Sequence, residues 1–205
     1  MEQGKDSGES AANGKDTMKT LGIIGGMSPE STVSYYQMIN REVNRRLGGN
    51  SSADMLMHSV NFETIAALQR EGKWAQAGEV LAQSALKLER MGAQAIVLAT
   101  NTMHKVAPAI EAVIKIPLIH VVDATAKAIR EQGLQQVALL GTRFTMSDGF
   151  YRERMQSFGV QTLVPNDRWQ EEIHRVIFEE LCRNHFGAAA KQYYLDAIAA
   201  LTRQG

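Results

Sequence analysis

From residue 20 onward the chain alternates between short, nearly continuous apolar runs and longer segments whose apolar positions recur every three to four residues. The short runs, at 20–25, 54–60, 94–99, 117–121, 136–140 and 160–164, predict strands. The periodic segments, at 29–47, 62–70, 73–91, 103–115, 123–132, 146–158, 167–184 and 187–203, predict helices. Alternation of this kind predicts β-α units and parallel sheets covered by helices, an α/β fold. Segment 73–91 shows the helical period well, with Ala77, Val80, Leu81, Ser84, Leu88 and Met91 on one stripe. Gly92 follows, where a helix C-terminus favours glycine.

Two of the predicted strand-to-helix turns echo each other. Gly22-Ile23-Ile24-Gly25-Gly26-Met27-Ser28 and Leu139-Leu140-Gly141-Thr142-Arg143-Phe144-Thr145 both run from an apolar strand through Gly into small hydroxyl residues. With two rounds of β-α units, this predicts two doubly wound parallel-sheet domains of similar topology, 18–117 and 118–205, with a site between them. A single sheet is the alternative. Residues 1–17 are rich in Gly, Ser, Asp and Lys, with no bulky apolar residue after Met1. Such a segment buries too little to offset its own ordering and predicts a disordered extension, vector-derived or from an upstream start.

Composition narrows the function classes. A hydrophobic fraction of 44% over 205 residues is ordinary for a soluble globular protein with a sizeable core. Lys+Arg and Asp+Glu both total 22, so the formal net charge is zero, which argues against a nucleic-acid partner. No apolar run approaches the roughly 18 residues a bilayer span needs, and the N-terminus lacks an apolar signal core. The expectation is a cytoplasmic protein without membrane contact. Cys182 is the sole cysteine, so no intrachain disulfide can form, and its helical surroundings predict a half-buried packing residue. His58, His120, His174 and His185 show no metal-ligand spacing, and no metal is predicted.

The strand-to-helix turns are the places where chemistry would sit. At the C-terminal ends of parallel strands, helix N-termini present free N–H groups and positive dipole ends to one crevice, which suits carboxylates or phosphates. Ser28 is a good N-cap and Pro29 suits the first helical position, so the first turn reads equally as a well-capped helix. Gly25-Gly26 favours a ligand there, since paired glycines permit close backbone approach. A dinucleotide fingerprint needs G-x-G-x-x-G, and the glycines at 22, 25 and 26 do not fit. No G-x-x-x-x-G-K-[ST] pattern occurs either, so both nucleotide readings are rejected. Asn101 and Thr102 offer an amide and a hydroxyl directly after an apolar strand, and Thr142 and Thr145 offer two hydroxyls at helical spacing. Each pair alone reads first as a cap. Together, from two halves facing one cleft, they suit the α-carboxylate and ammonium of an amino acid. His104 is a candidate for orienting a neighbour or for a simple capping or surface role.

These motifs carry a family resemblance. Thr100-Asn101-Thr102-Met103-His104 resembles the Cys-Asn-Thr-x-His motif of the cofactor-independent aspartate/glutamate racemases. Gly25-Gly26-Met27-Ser28-Pro29-Glu30-Ser31-Thr32 resembles their Gly-Gly-Met-Ser-x-Glu-Ser-Thr opening, where family members often have Trp in place of Pro29. Leu140-Gly141-Thr142 with Thr145, and Val164-Pro165 with Glu172-Ile173 and Ile177-Phe178-Glu179-Glu180-Leu181, extend the likeness over 18–203. The resemblance implies a homodimer of two-domain subunits that inverts Cα of aspartate, glutamate or a related amino acid without pyridoxal phosphate or any other cofactor. One thiolate removes the Cα proton and a second, opposite thiol delivers one.

Carried over residue by residue, the resemblance makes Met27, Ser28, Asn101, Thr102, Thr142 and Thr145 substrate-binding. It places Thr100 where the family has its first catalytic cysteine. The second cysteine, in a Gly-Cys-Thr-Glu-like segment, does not occur within these 205 residues. The expectation is a C-terminally truncated racemase, lacking a strand and helix of the first domain and one-sided or inactive in this form. The alternative is a catalytically dead fragment or an amino-acid-binding remnant. The family's basic residue for a side-chain carboxylate finds Asn61 and Glu63 in its loop, and Arg168 is only a weak substitute.

Overall fold

The computed structural model describes residues 18–204. The expected disorder of 1–17 lies outside the described residues. Two parallel sheets organise the chain. The first has order β2-β1-β3-β4, from β1 (Leu21–Gly25), β2 (Met55–Ser59), β3 (Ala95–Leu98) and β4 (Leu118–Ile119). Ile23 of β1 pairs with Met57 on one side and Val97 on the other. The second sheet joins β5 (Gln136–Ala138) to β6 (Gln161–Leu163). β4 pairs with β3, so the first sheet continues two residues past the expected junction at 117/118.

The central strands β1 and β3 are apolar because helices cover them. Ile23, Ile24, Ile96 and Leu98 are buried, and the main core adds Ile65, Leu81, Leu88, Met103 and Ile110 from the helices that follow. α1 (Pro29–Leu47), α2 (Phe62–Arg70) and α3 (Trp74–Arg90) lie where periodicity puts them. On α3 the buried stripe is Ala77, Leu81, Ser84, Ala85 and Leu88, whereas Val80 and Met91 face outward. Gly92 ends that helix at φ 104°, a conformation that costs a side-chain-bearing residue strain. Around the second sheet, Val122, Ala126, Tyr151, Met155 and Val160 form one cluster, and Met146, Ile173 and Ala197 form another.

Three predicted helices are divided. Segment 103–115 becomes a 3-10 turn (Thr102–Val106) followed by α4 (Ala107–Glu111). Pro108 explains the change: it lacks the N–H an unbroken helix would need there, but it fits the first turn of a new one. Segment 146–158 becomes α6 (Arg143–Ser147) and α7 (Gly149–Ser157), with Asp148 extended between them and its carboxylate 2.6 Å from the Lys105 ammonium. Segment 167–184 becomes α8 (Asp167–Glu179) and a 3-10 turn (Leu181–Arg183) that ends at left-handed Asn184. α5 (Val121–Glu131) starts directly at the end of β4, and α9 (Ala188–Thr202) completes the described chain.

Candidate active site

A cleft of about 440 Å³ lies where three strand ends converge. Its lining includes all of the sequence-predicted site residues: Met27, Ser28, Thr100, Asn101, Thr102, Thr142 and Thr145. Each turn is built by local bonds. Ser28 caps α1, its hydroxyl oxygen accepting the Ser31 N–H. The Ser28 carbonyl accepts the hydroxyls of Ser31 at 3.1 Å and Thr32 at 2.9 Å, and the Thr32 oxygen accepts the Gly26 N–H at 2.9 Å. Buried Thr32 therefore holds the loop from inside. The paired glycines serve this packing. A Cβ on Gly25 would lie 2.4 Å from the Thr32 methyl, and one on Gly26, at φ 93°, would lie 2.2 Å from the Val60 carbonyl oxygen. The close approach expected toward a ligand is thus made toward the protein's own backbone and Thr32.

The first sheet delivers Thr102 and the second delivers Thr142 and Thr145 to one point. The Thr102 hydroxyl oxygen is 2.8 Å from that of Thr142 and 3.3 Å from that of Thr145, and Thr142 and Thr145 are 3.2 Å apart. Thr142 also caps α6 by accepting the Thr145 N–H. Each hydroxyl has one proton, so a proton given to a bound anion is taken from a bond within the triangle.

His104 lies beneath this triangle and is buried. Its Nδ1–H donates to the Thr100 carbonyl at 2.7 Å, and its Nε2 accepts the Val121 N–H at 3.2 Å. That pairing requires the neutral ring. Burial, together with the His120 ring at 4.4 Å, pushes the His104 pKa down to about 4. His104 thus orients the Thr100 turn against the start of α5 and does not act as an acid or base at neutral pH. His120 caps α5 through Nδ1, and burial and Arg154 hold it down to about 4 as well.

Four lining residues were not legible as site residues in the sequence. Gln69 is buried on α2, its amide N–H 2.9 Å from the Met103 sulfur and its carbonyl oxygen without a partner among the described residues. A polar residue on the apolar stripe shared with Ile65 and Ala66 is the signal that marks it. Tyr35 and Tyr151 face the cleft from the two halves, and burial pushes both phenols up. Cys182 is half-buried, as its surroundings predicted, yet it lines the cleft, as Ser28 does. Burial pushes its thiol up, and the neighbouring Ser28 side chain opposes this in part. Among the described residues no cluster of three His, Cys, Asp or Glu side chains is placed to hold a metal ion.

The sequence matches the Asp/Glu/Hydantoin racemase family over residues 24–205. The chain belongs to that family. The broad specificity amino-acid racemase RacX of Bacillus subtilis (strain 168) is 26% identical over 168 residues, 80% of this chain and 72% of its own. A crystal structure from Yersinia pestis, assigned to the Asp/Glu racemases, is 46% identical, superposes with a TM-score of 0.83, and is matched over 92% of this chain and 82% of that one. An aspartate racemase homologue from Pyrococcus horikoshii is 36% identical with a TM-score of 0.68, matched over 82% and 74% of the two chains. Membership in the racemase family makes the protein an isomerase by descent and agrees with its parallel α/β architecture.

Proposed function

We propose that the cleft is an α-amino-acid site of the cofactor-independent racemase type, in which proton exchange at Cα is one-sided or absent because Thr100 gives its side of that carbon no base. The observation that supports this reading most directly is the triangle of Thr102, Thr142 and Thr145 hydroxyls assembled from two sheets at the strand ends. Hydroxyl donors placed there receive an α-carboxylate. They also stabilise the charge that moves onto it when the Cα proton leaves, as an enolate-like transition state requires. Gln69 lines the same cleft, and its buried carbonyl oxygen, without a partner among the described residues, is the candidate acceptor for the α-ammonium.

Thr100 occupies the position of the family's first cysteine. A threonine hydroxyl has no accessible anion near neutral pH, and His104 is committed to the Thr100 carbonyl instead of its hydroxyl. Cys182 is a protonated thiol in this setting, a proton donor and not a base. Exchange is therefore slow and confined to one enantiomer at most, and binding without turnover is the second reading that Thr100 favours. Isothermal titration with amino acids tests the site: saturable heat that falls at least about tenfold in affinity in Thr102→Ala and Thr145→Ala supports it. Heat unchanged in both variants contradicts it.

The proposal extends to a cytoplasmic homodimer. Among the described residues no helix is long and apolar enough to cross a membrane. One face of α1 exposes Val33, Tyr36 and Leu47, the last at 62%, apolar positions suited to a second subunit. Light scattering at micromolar concentration reads two chains per particle if this holds and one if it does not.

A further inference from the structure

The cleft offers an amino acid unlike surroundings at its two ends. Around the threonine triangle every group is a neutral donor or acceptor, enough for one carboxylate and one ammonium. Ser31, Ser34, Tyr35 and Tyr151 add hydroxyls to the lining, and a continuous part of the wall is apolar. Phe62 at the start of α2 stacks on Phe178 at the end of α8, with ring centroids 5.8 Å apart, and Ile177, Leu181, Leu139 and Leu140 continue the surface. Among the described lining residues Glu30, in the first turn of α1, is the one formally charged side chain.

Several cations on neighbouring elements are engaged elsewhere, and Arg183, beside Cys182, does not line the cleft. Arg70, at the end of α2, pairs with Glu63. Lys105 pairs with Asp148 and lies 3.9 Å over the Trp74 ring. Arg154 pairs with Asp123, and Arg175 with Glu172, Glu179 and Glu180. Asn61, in the loop after β2, caps α2 by accepting the Glu63 N–H. Arg168 and Arg143 do not line the cleft.

Resting on the reading of the cleft as an amino-acid site, we propose that it selects α-amino acids with an uncharged side chain and discriminates against aspartate and glutamate. A second carboxylate would leave water for an apolar wall without a counter-cation, and an unpaired charge in such a place is expensive. Glu30 adds like-charge repulsion at the rim. An amide or thioether side chain carries neither burden and gains contact with Phe62 and Phe178. A cationic side chain gains little, because Glu30 is exposed and solvated at the rim.

The test is isothermal titration of the 205-residue protein with L-glutamine, L-glutamate, L-methionine and L-lysine. Glutamine and glutamate have the same length and differ in charge, so their ratio isolates the effect. Glutamine and methionine are expected to bind at least about tenfold more tightly than glutamate. Glu30→Gln should narrow that gap by no more than about twofold, because the rim carboxylate is exposed and screened. Phe186→Arg, at a cleft position that is 69% exposed and tolerant of change, should narrow it further by supplying a cation. Glutamate binding as tightly as glutamine, or lysine binding more tightly than glutamine, overturns the selectivity and leaves the amino-acid site standing. No saturable heat with any of the four overturns the amino-acid reading itself, and the selectivity falls with it.

Discussion

Thr102 and Thr142, 40 positions apart in the chain, have hydroxyl oxygens 2.8 Å apart. Thr102 follows a strand of the first sheet and Thr142 follows a strand of the second, so this bond joins the two halves at the cleft, beside the 3.3 Å Thr102–Thr145 contact. Removing either hydroxyl breaks the same bond, and the two substitutions should not be additive. Thr102→Val and Thr142→Val are each expected to destabilise, Thr142 more, because it also caps α6, a loss of about 1 kcal/mol. A double-mutant cycle by urea denaturation should give a coupling of about 0.5–1.5 kcal/mol. Additivity within error would show that the bond does not hold the halves together.

Stability should fall on mild acidification because of His104 and His120, with a contribution from His174, which burial also holds below its ordinary value. His104 and His120 both stand at about 4 in the folded protein, against an ordinary value of 6.5. Between those limits the unfolded chain binds more protons than the folded one, so stability is fully present above about pH 6.5 and declines as pH drops toward 4. Asp123, held below its usual range by the Arg154 hydrogen bond, loses its contribution only at lower pH. Urea midpoints from pH 7.5 to 4.5 should slope downward. His104→Gln should flatten the slope, and the His104 ring resonances of the intact protein should show no titration until near pH 4. A midpoint constant across that range contradicts the assignment.

Cys182 should behave as a shielded, protonated thiol. Its folded value is raised above 9.0 by burial, so alkylation by iodoacetamide at pH 7 should be slower than for free cysteine and should accelerate as pH passes that value. A saturating amino acid should slow it further, because Cys182 lines the same cleft as Thr100. A neutral-pH rate matching free cysteine, indifferent to ligand, would place the thiol outside the site.

Much of this architecture is visible in residue order, and what is hidden has identifiable causes. The bounds of α1 and α2 follow from local signals: Ser28-Pro29 and Asn61 cap their starts, and apolar periodicity sets their length. The three turns carry small hydroxyl and amide residues whose placement at strand ends follows from β-α alternation. The breaks at Pro108 and Asp148 were harder to read, the second because the Lys105 ammonium that holds Asp148 lies 43 positions away. Gln69, Tyr35 and Tyr151 escaped notice for a related reason. Each is one polar group on a helix, and only packing decides whether it meets solvent or the cleft. His104 looked like a cap or surface group, yet β4 and α5 fold over it and make it a buried brace. Gly25 and Gly26 suggested a ligand, and tertiary packing gave their space to Thr32 and Val60.

The central claim is that Thr100 leaves one side of Cα without a base. Proton NMR of the Cα signal in deuterated buffer tests it most directly, run separately on the L and D enantiomers of glutamine and of glutamate with the 205-residue protein. The account predicts slow loss of the signal from one enantiomer at most, and faster exchange in Thr100→Cys, where a thiol replaces the hydroxyl. Rapid and equal exchange of both enantiomers by the unaltered protein would contradict it.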